Sequence, residues 1–128
     1  MERLTKAHKT ALHALVTLEE ILKEQSGTIV RDATIQRFEY TFETVWKLLK
    51  VYLLERHGID AGSPKACFRE AFKSELLTQD QTEQALVMTD DRNLTSHTYI
   101  EAVADLVYSR ITGHAELMRT IVNETAGN

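Results

Sequence analysis

The chain has one cysteine, one proline and five glycines in 128 residues. A single thiol, Cys67, excludes an internal disulfide and fits a reducing compartment. So little proline and glycine leaves few turns, which argues for a handful of long helices rather than a strand-rich fold. Long apolar runs are also missing. The most hydrophobic stretch, Val45 to Leu54, is interrupted by Lys47 and Lys50 and is too short and too charged to span a bilayer. Met1-Glu2-Arg3-Leu4-Thr5-Lys6 is not followed by an apolar segment, so no signal peptide is expected and the predicted location is the cytoplasm.

Several chemistries are excluded by absent motifs. There is no H-E-x-x-H, no cysteine pair, and no ligand spacing among His8, His13, His57 and His114, so neither a metal nor a cofactor is expected. No glycine-rich phosphate loop exists, so the chain carries no P-loop or nucleotidyltransferase active site of its own. A net charge of −4 gives no global attraction to nucleic acid. Any nucleic-acid chemistry must then rest on a local positive site or on charge supplied by a partner protein. A hydrophobic content of 43% and a charged content of 27% are ordinary for a globular protein, and 1–128 reads as one domain.

What is there is helical periodicity. Leu4, Ala7, Ala11, Leu12, Leu15, Leu18, Ile21 and Leu22 recur at spacings of three and four, predicting a helix from about Arg3 to Gln25, with Gly27 as a left-handed stop. A second helix is predicted from near Asp32 to His57, ended by Gly58. Its main stripe is Ile35, Phe38, Phe42, Val45, Trp46, Leu49 and Leu53, and Tyr40, Leu48, Val51 and Leu54 form a partial second one. A helix apolar on two sides is central to a bundle or shared with another subunit. Phe38, Phe42 and Trp46 lie at helical spacing and are read as core rather than as a platform for bases.

Ser63-Pro64 opens a short third helix carrying Cys67, Phe68, Ala71 and Phe72. Thr78 and Gln81 form a capping box for a fourth helix with Ala85, Leu86 and Met88. Thr98 and Glu101 repeat that pattern before a fifth, with Val103, Leu106, Val107, Ile111, Leu117, Met118 and Ile121. The predicted fold is all-α, an up-and-down four-helix bundle with an additional short helix. Glu19-Glu20 and Asp90-Asp91 read as solvated faces, and Cys67 as a small core residue.

The chemistry concentrates in Arg92-Asn93-Leu94-Thr95-Ser96-His97-Thr98-Tyr99. A permanent cation, an amide, hydroxyls, an imidazole and a phenol fall within one octapeptide at a predicted joint between two helices. Arg92 can clamp two phosphate oxygens, and His97 titrates near neutral pH and can take or give a proton. In one continuous helix Arg92 and His97 would diverge by ~140°, so a bend or a second subunit is needed to bring them together. The alternative is structural: Arg92 paired with Asp90, Asp91 or another surface carboxylate, and His97 and Tyr99 idle in a first turn.

Arg92 to Tyr99, read as R-N-x-x-x-H-x-Y, resembles the R-x4–6-H signature of the HEPN superfamily (higher eukaryotes and prokaryotes nucleotide-binding). Within it, the chain most resembles the nucleotidyltransferase substrate-binding subfamily, partners of minimal nucleotidyltransferases. Ile35-Gln36-Arg37-Phe38-Glu39-Tyr40-Thr41-Phe42-Glu43 with Trp46 and Leu49 resembles that subfamily's second helix, and Ser63-Pro64 with Arg69-Glu70-Ala71-Phe72 its third. Two departures stand out: Ser74 or Glu75 where the family has a glycine, and Ala85 where it has a tryptophan.

The resemblance implies a homodimer with the two motifs near the two-fold axis, RNA or a nucleotide at the dimer cleft, and a small nucleotidyltransferase encoded nearby. It implies a toxin of a toxin–antitoxin pair, a metal-independent endoribonuclease using Arg92, Asn93 and His97, silenced when the nucleotidyltransferase places AMP on Tyr99. The other function it allows is a non-catalytic nucleotide- or substrate-binding subunit.

Overall fold

The predicted periodicities become five α-helices in a computed structural model that describes residues 2–126. They are α1 (Glu2–Ile21), α2 (Thr28–His57), α3 (Pro64–Lys73), α4 (Gln79–Leu94) and α5 (Glu101–Glu124), with a 3-10 turn at Thr95–His97 between α4 and α5. No strand occurs among the described residues, so the all-α expectation holds. None of these helices is long and apolar enough to cross a membrane.

The 30-residue α2 is the element on which the rest assemble: α1, α3, α4 and α5 all pack against it. Ile35, Phe38, Phe42, Val45, Leu49 and Leu53 are buried as the periodicity predicts, and Leu48 joins them from the second stripe. Tyr40 and Leu54 stay at the surface, so the second stripe is only partly core. Trp46 is half-buried, and its indole N–H donates to Glu43 Oε1 at 2.8 Å. Burying large side chains such as Phe38 and Leu49 stabilises by roughly 1.5–3 kcal/mol each.

Local end signals explain several boundaries. Ser63 Oγ accepts from the Ala66 N–H at 3.2 Å with Pro64 at the first helical position, and the Thr78–Gln81 capping box forms in both directions. Gly58 takes the left-handed conformation (φ 67°, ψ 21°) and ends α2, its N–H bonded to the Leu54 carbonyl at 3.0 Å. After α3, Glu75 also sits at positive φ, 63°. There the Leu76 N–H bonds the Ala71 carbonyl and the Glu75 N–H bonds the Phe72 carbonyl, the double closure of a Schellman end.

Four expectations are corrected. Gly27 is extended (φ 169°, ψ 170°) and caps the start of α2, not the end of α1. α1 stops earlier, at Ile21, and closes through tight bonds such as Glu24 N–H to the Ile21 carbonyl at 3.0 Å. Phe72 and Leu106 are exposed, 45% and 43%, because each lies off the edge that its helix turns to the core. Glu19 is not merely solvated: it is half-buried and holds the Arg119 guanidinium, which ties α1 to α5. A second α1–α5 tie is His8 Nε2, which donates to the Val122 carbonyl at 2.9 Å. Cys67 is fully buried, and burial pushes its thiol up to about 11.

Candidate functional site

The octapeptide is the hinge between α4 and α5. α4 ends at Leu94, and the chain then turns through Thr95–His97. Thr95 Oγ1 donates to the Arg92 carbonyl at 2.6 Å and Thr98 Oγ1 to the Thr95 carbonyl at 3.2 Å. The Ile100 N–H bonds the His97 carbonyl at 3.0 Å. These two threonine hydroxyls reinforce the end of a helix, where the Arg92 carbonyl also accepts from the Thr95 backbone N–H.

The predicted capping box at Thr98 does not form. Ile100 precedes the first residue of α5, without a side-chain cap. The reason is the fate of Glu101. Its carboxylate accepts from Arg31 Nη1 at 2.7 Å and Nη2 at 3.2 Å, and Arg31 also bonds Asp105 and Asp32 at 3.0 Å each. Arg31 is only 6% exposed. Three carboxylates hold its guanidinium firmly charged, and hydrogen bonds from Arg31 hold the Glu101 carboxyl below the usual range. This cluster draws Arg31 into α2 ahead of the predicted start and anchors α5 where it leaves the octapeptide. Sequence reasoning missed it because Arg31 and Glu101 lie 70 residues apart.

Asp91 is a second correction. It is 1% exposed, not part of a solvated face. Its Oδ1 accepts from Arg110 Nη1 at 2.8 Å and its Oδ2 from His114 Nε2 at 2.7 Å, both on α5. The His114 ring stacks on Phe38 with centroids 5.5 Å apart. Burial pushes the His114 imidazole down, opposed by its bond to Asp91. Asp90 is exposed and pairs with Lys65 at 2.7 Å. With Asp91 turned inward to α5, Arg92 emerges ~100° round the helix, towards α2.

Arg92 is half-buried, with Nη2 3.9 Å from Glu43 Oε2 and a buried Nε that has no hydrogen-bond partner among the described residues. Its donors are thus incompletely used. Asn93, His97 and Tyr99 are exposed, Tyr99 at 80%. The His97 and Tyr99 rings meet edge to face, centroids 6.2 Å apart. No hydrogen bond or ring contact joins Arg92 to His97 among the described residues. A groove of about 710 Å³ runs between α4 and α5, bordered by Arg110 and His114, and none of Arg92, Asn93, His97 and Tyr99 lines it. Among the described residues no three His, Cys, Asp or Glu side chains are grouped to hold a metal ion. Chemically, an arginine with spare donors followed by an exposed imidazole and phenol can hold a phosphate and exchange a proton beside it.

Residues 3–126 match a family model described as nucleotidyltransferase substrate binding protein like. No curated protein matches the chain. Among solved structures, a Thermus thermophilus protein is 43% identical, with a TM-score of 0.87 over 91% of this chain and 98% of its own. A Haemophilus influenzae protein, reported to reveal the fold of a substrate binding domain of a nucleotidyltransferase, is 23% identical, with a TM-score of 0.69 over 97% of both chains. A chain of a mutant toxin–antitoxin complex, MntA-HpeT, is 15% identical, with a TM-score of 0.81 over 100% of both. The last two are likenesses of fold.

Proposed function

The chain belongs to the nucleotidyltransferase substrate binding protein like family, and from that premise we propose that it is the HEPN toxin of a toxin–antitoxin pair with a small nucleotidyltransferase. Its activity is metal-independent cleavage of RNA. The observation that carries this reading is the hinge: Arg92 with unused donors at the end of α4, then His97 and Tyr99 exposed on the turn that follows. The toxin–antitoxin complex of the same fold adds support.

The reaction needs no group beyond the RNA and the protein. A 2′-oxygen attacks the adjacent phosphorus as its proton passes to an imidazole. The bond to the 5′-oxygen breaks, and that oxygen takes a proton from an imidazolium, leaving a 2′,3′-cyclic phosphate and a 5′-hydroxyl. Arg92 balances the charge on the crowded phosphorus, and Asn93 orients a phosphate oxygen or the imidazole. One chain offers one His97 on an open surface, so the acid and the base come from two copies, met at a two-fold axis.

Tyr99 is the off-switch. Its phenol oxygen attacks the α-phosphorus of ATP held by the nucleotidyltransferase, pyrophosphate leaves, and AMP remains beside His97. The added charge and bulk then close the cleft to RNA.

A binding-only subunit is the second reading, favoured by the family's description as substrate binding. Expression of the wild-type chain alone beside Arg92→Ala and His97→Ala separates the two. Arrested growth and degraded RNA for the wild type only is the expected result. Equal growth and intact RNA for all three would leave the binding subunit.

A further inference from the structure

Arg3, Lys6, Ala7 and Thr10 recur at intervals of three and four and form one stripe on α1. That stripe faces Thr44 and Lys47 on α2 across a groove of about 330 Å³ lined by these same residues. Arg3, Lys6, Thr10 and Lys47 are exposed. Among the described residues none of the three cations has a carboxylate within ion-pairing distance; the same holds of Lys9, Lys23, Arg37, Arg56 and Arg69, but none of those lines this groove. In a chain of net charge −4, this is positive charge gathered in one place and not balanced from within. Nothing in the core requires it, since all three side chains point to solvent.

The groove adjoins the hinge. Lys47 lies one helical turn beyond Glu43 on the outer side of α2, and Glu43 is the residue that Arg92 faces at 3.9 Å. Crossing that single ridge leads from Arg92 to Lys47, Lys6 and Arg3. The stripe from Arg3 to Thr10 rises ~10 Å along α1, a row rather than a cage. The lining has no aromatic ring on which a base could stack and no glycine-rich turn to wrap a polyphosphate. These features suit successive phosphates of a strand, read without regard to sequence.

We infer that the α1–α2 groove is a phosphate track, binding the backbone of the single-stranded RNA whose scissile bond lies at Arg92 and His97. The inference rests on the ribonuclease reading for its substrate, and the ligand chemistry is the phosphodiester oxygen. Arg3, Lys6 and Lys47 neutralise phosphates, the Thr10 hydroxyl is free to donate to one, and Glu43 turns the strand away from α2 towards the hinge.

The test is binding of a fluorescent 2′-O-methyl RNA strand, which cannot be cleaved by its own 2′-oxygen, by the full-length protein over a range of salt concentrations. The wild type is compared with the triple variant Arg3→Gln, Lys6→Gln, Lys47→Gln, in which glutamine keeps the helix propensity and circular dichroism checks the fold. Three lost phosphate contacts lower the slope of log K against log salt by about 2, from ~0.7 per contact for single strands. Affinity at low salt falls at least tenfold, and tripolyphosphate displaces the strand only weakly.

An unchanged slope in the triple variant overturns the track. Tight displacement by tripolyphosphate also overturns it, in favour of a nucleotide site. Cleavage of unmodified RNA is scored separately. A wild type that binds through these cations without cleaving keeps the track and sinks the ribonuclease. One that cleaves with a slope indifferent to the three substitutions does the reverse. A wild type that binds no strand sinks the track, and one that also leaves unmodified RNA intact sinks both.

Discussion

His114 Nε2 donates to Asp91 Oδ2 across 2.7 Å, and this bond fastens α5 to the residue that immediately precedes Arg92. Asp91 is buried and its carboxyl oxygens each have a partner: Arg110 takes one and His114 the other. Replacing Asp91 by alanine strips both Arg110 and His114 of their shared partner. Urea denaturation is expected to show a loss of about 3 kcal/mol for Asp91→Ala, the size of breaking a buried, charge-assisted contact. A loss under ~0.5 kcal/mol would mean that the pair does not hold the end of α4.

The same pair makes stability depend on pH. Burial lowers the His114 pKa in the folded chain, with Asp91 and Arg110 on its polar side and Phe38 against its ring. Below about pH 6.5 the unfolded chain therefore binds a proton at this position that the folded chain refuses. The contribution is fully present above that pH and is lost as the pH falls towards the lowered value. His114→Gln is expected to flatten the stability–pH curve below about pH 6.5, where one such group can give a slope up to about 1.4 kcal/mol per pH unit. Parallel curves for the two proteins would remove His114 as the cause.

Glu75 occupies a left-handed position, φ 63°, in the Schellman end of α3, where the family resemblance leads one to expect a glycine. A side chain there costs about 1 kcal/mol, offset in part by the greater freedom of glycine in the unfolded chain. Glu75→Gly is expected to raise stability by about 0.5 kcal/mol in thermal or urea unfolding. Destabilisation would show that the Glu75 side chain contributes a contact of its own.

Tyr99 is 80% exposed and touches His97 by its ring edge alone, so Tyr99→Phe leaves the fold intact. If the proposed small nucleotidyltransferase partner acts on Tyr99, its co-expression is expected to add one AMP to the wild type and none to Tyr99→Phe, read by intact mass. An equal adduct on both would move the modification to another residue.

The signals that were legible in the sequence are local ones. Ser63-Pro64, Thr78–Gln81 and Gly58 each act within a few residues, and each forms as the pattern predicts. Thr98–Glu101 has the same lettering as Thr78–Gln81 and fails because Arg31, distant in sequence, takes the Glu101 carboxylate. Gly27 misleads for a related reason: read as the stop of α1, it caps the start of α2, a place that a glycine suits as well. Asp91 looks like any surface acid until α5 brings Arg110 and His114 to it. The octapeptide's position at a helix joint could be read from the pattern. The outward turn of Arg92 towards Glu43 could not, since it follows from the inward turn of Asp91. The α1–α2 groove was hidden because its stripe of cations gains meaning only when Lys47 is placed opposite.

Incubation of purified protein with single-stranded RNA in the presence of a metal chelator, with the fragment ends analysed, tests the central claim most directly. The account predicts cleavage to 2′,3′-cyclic phosphate and 5′-hydroxyl ends, slowed about 10²–10⁴-fold by His97→Ala, the range for loss of a general acid or base, and strongly by Arg92→Ala. RNA left intact by the wild type, or cut equally well by both variants, would contradict it.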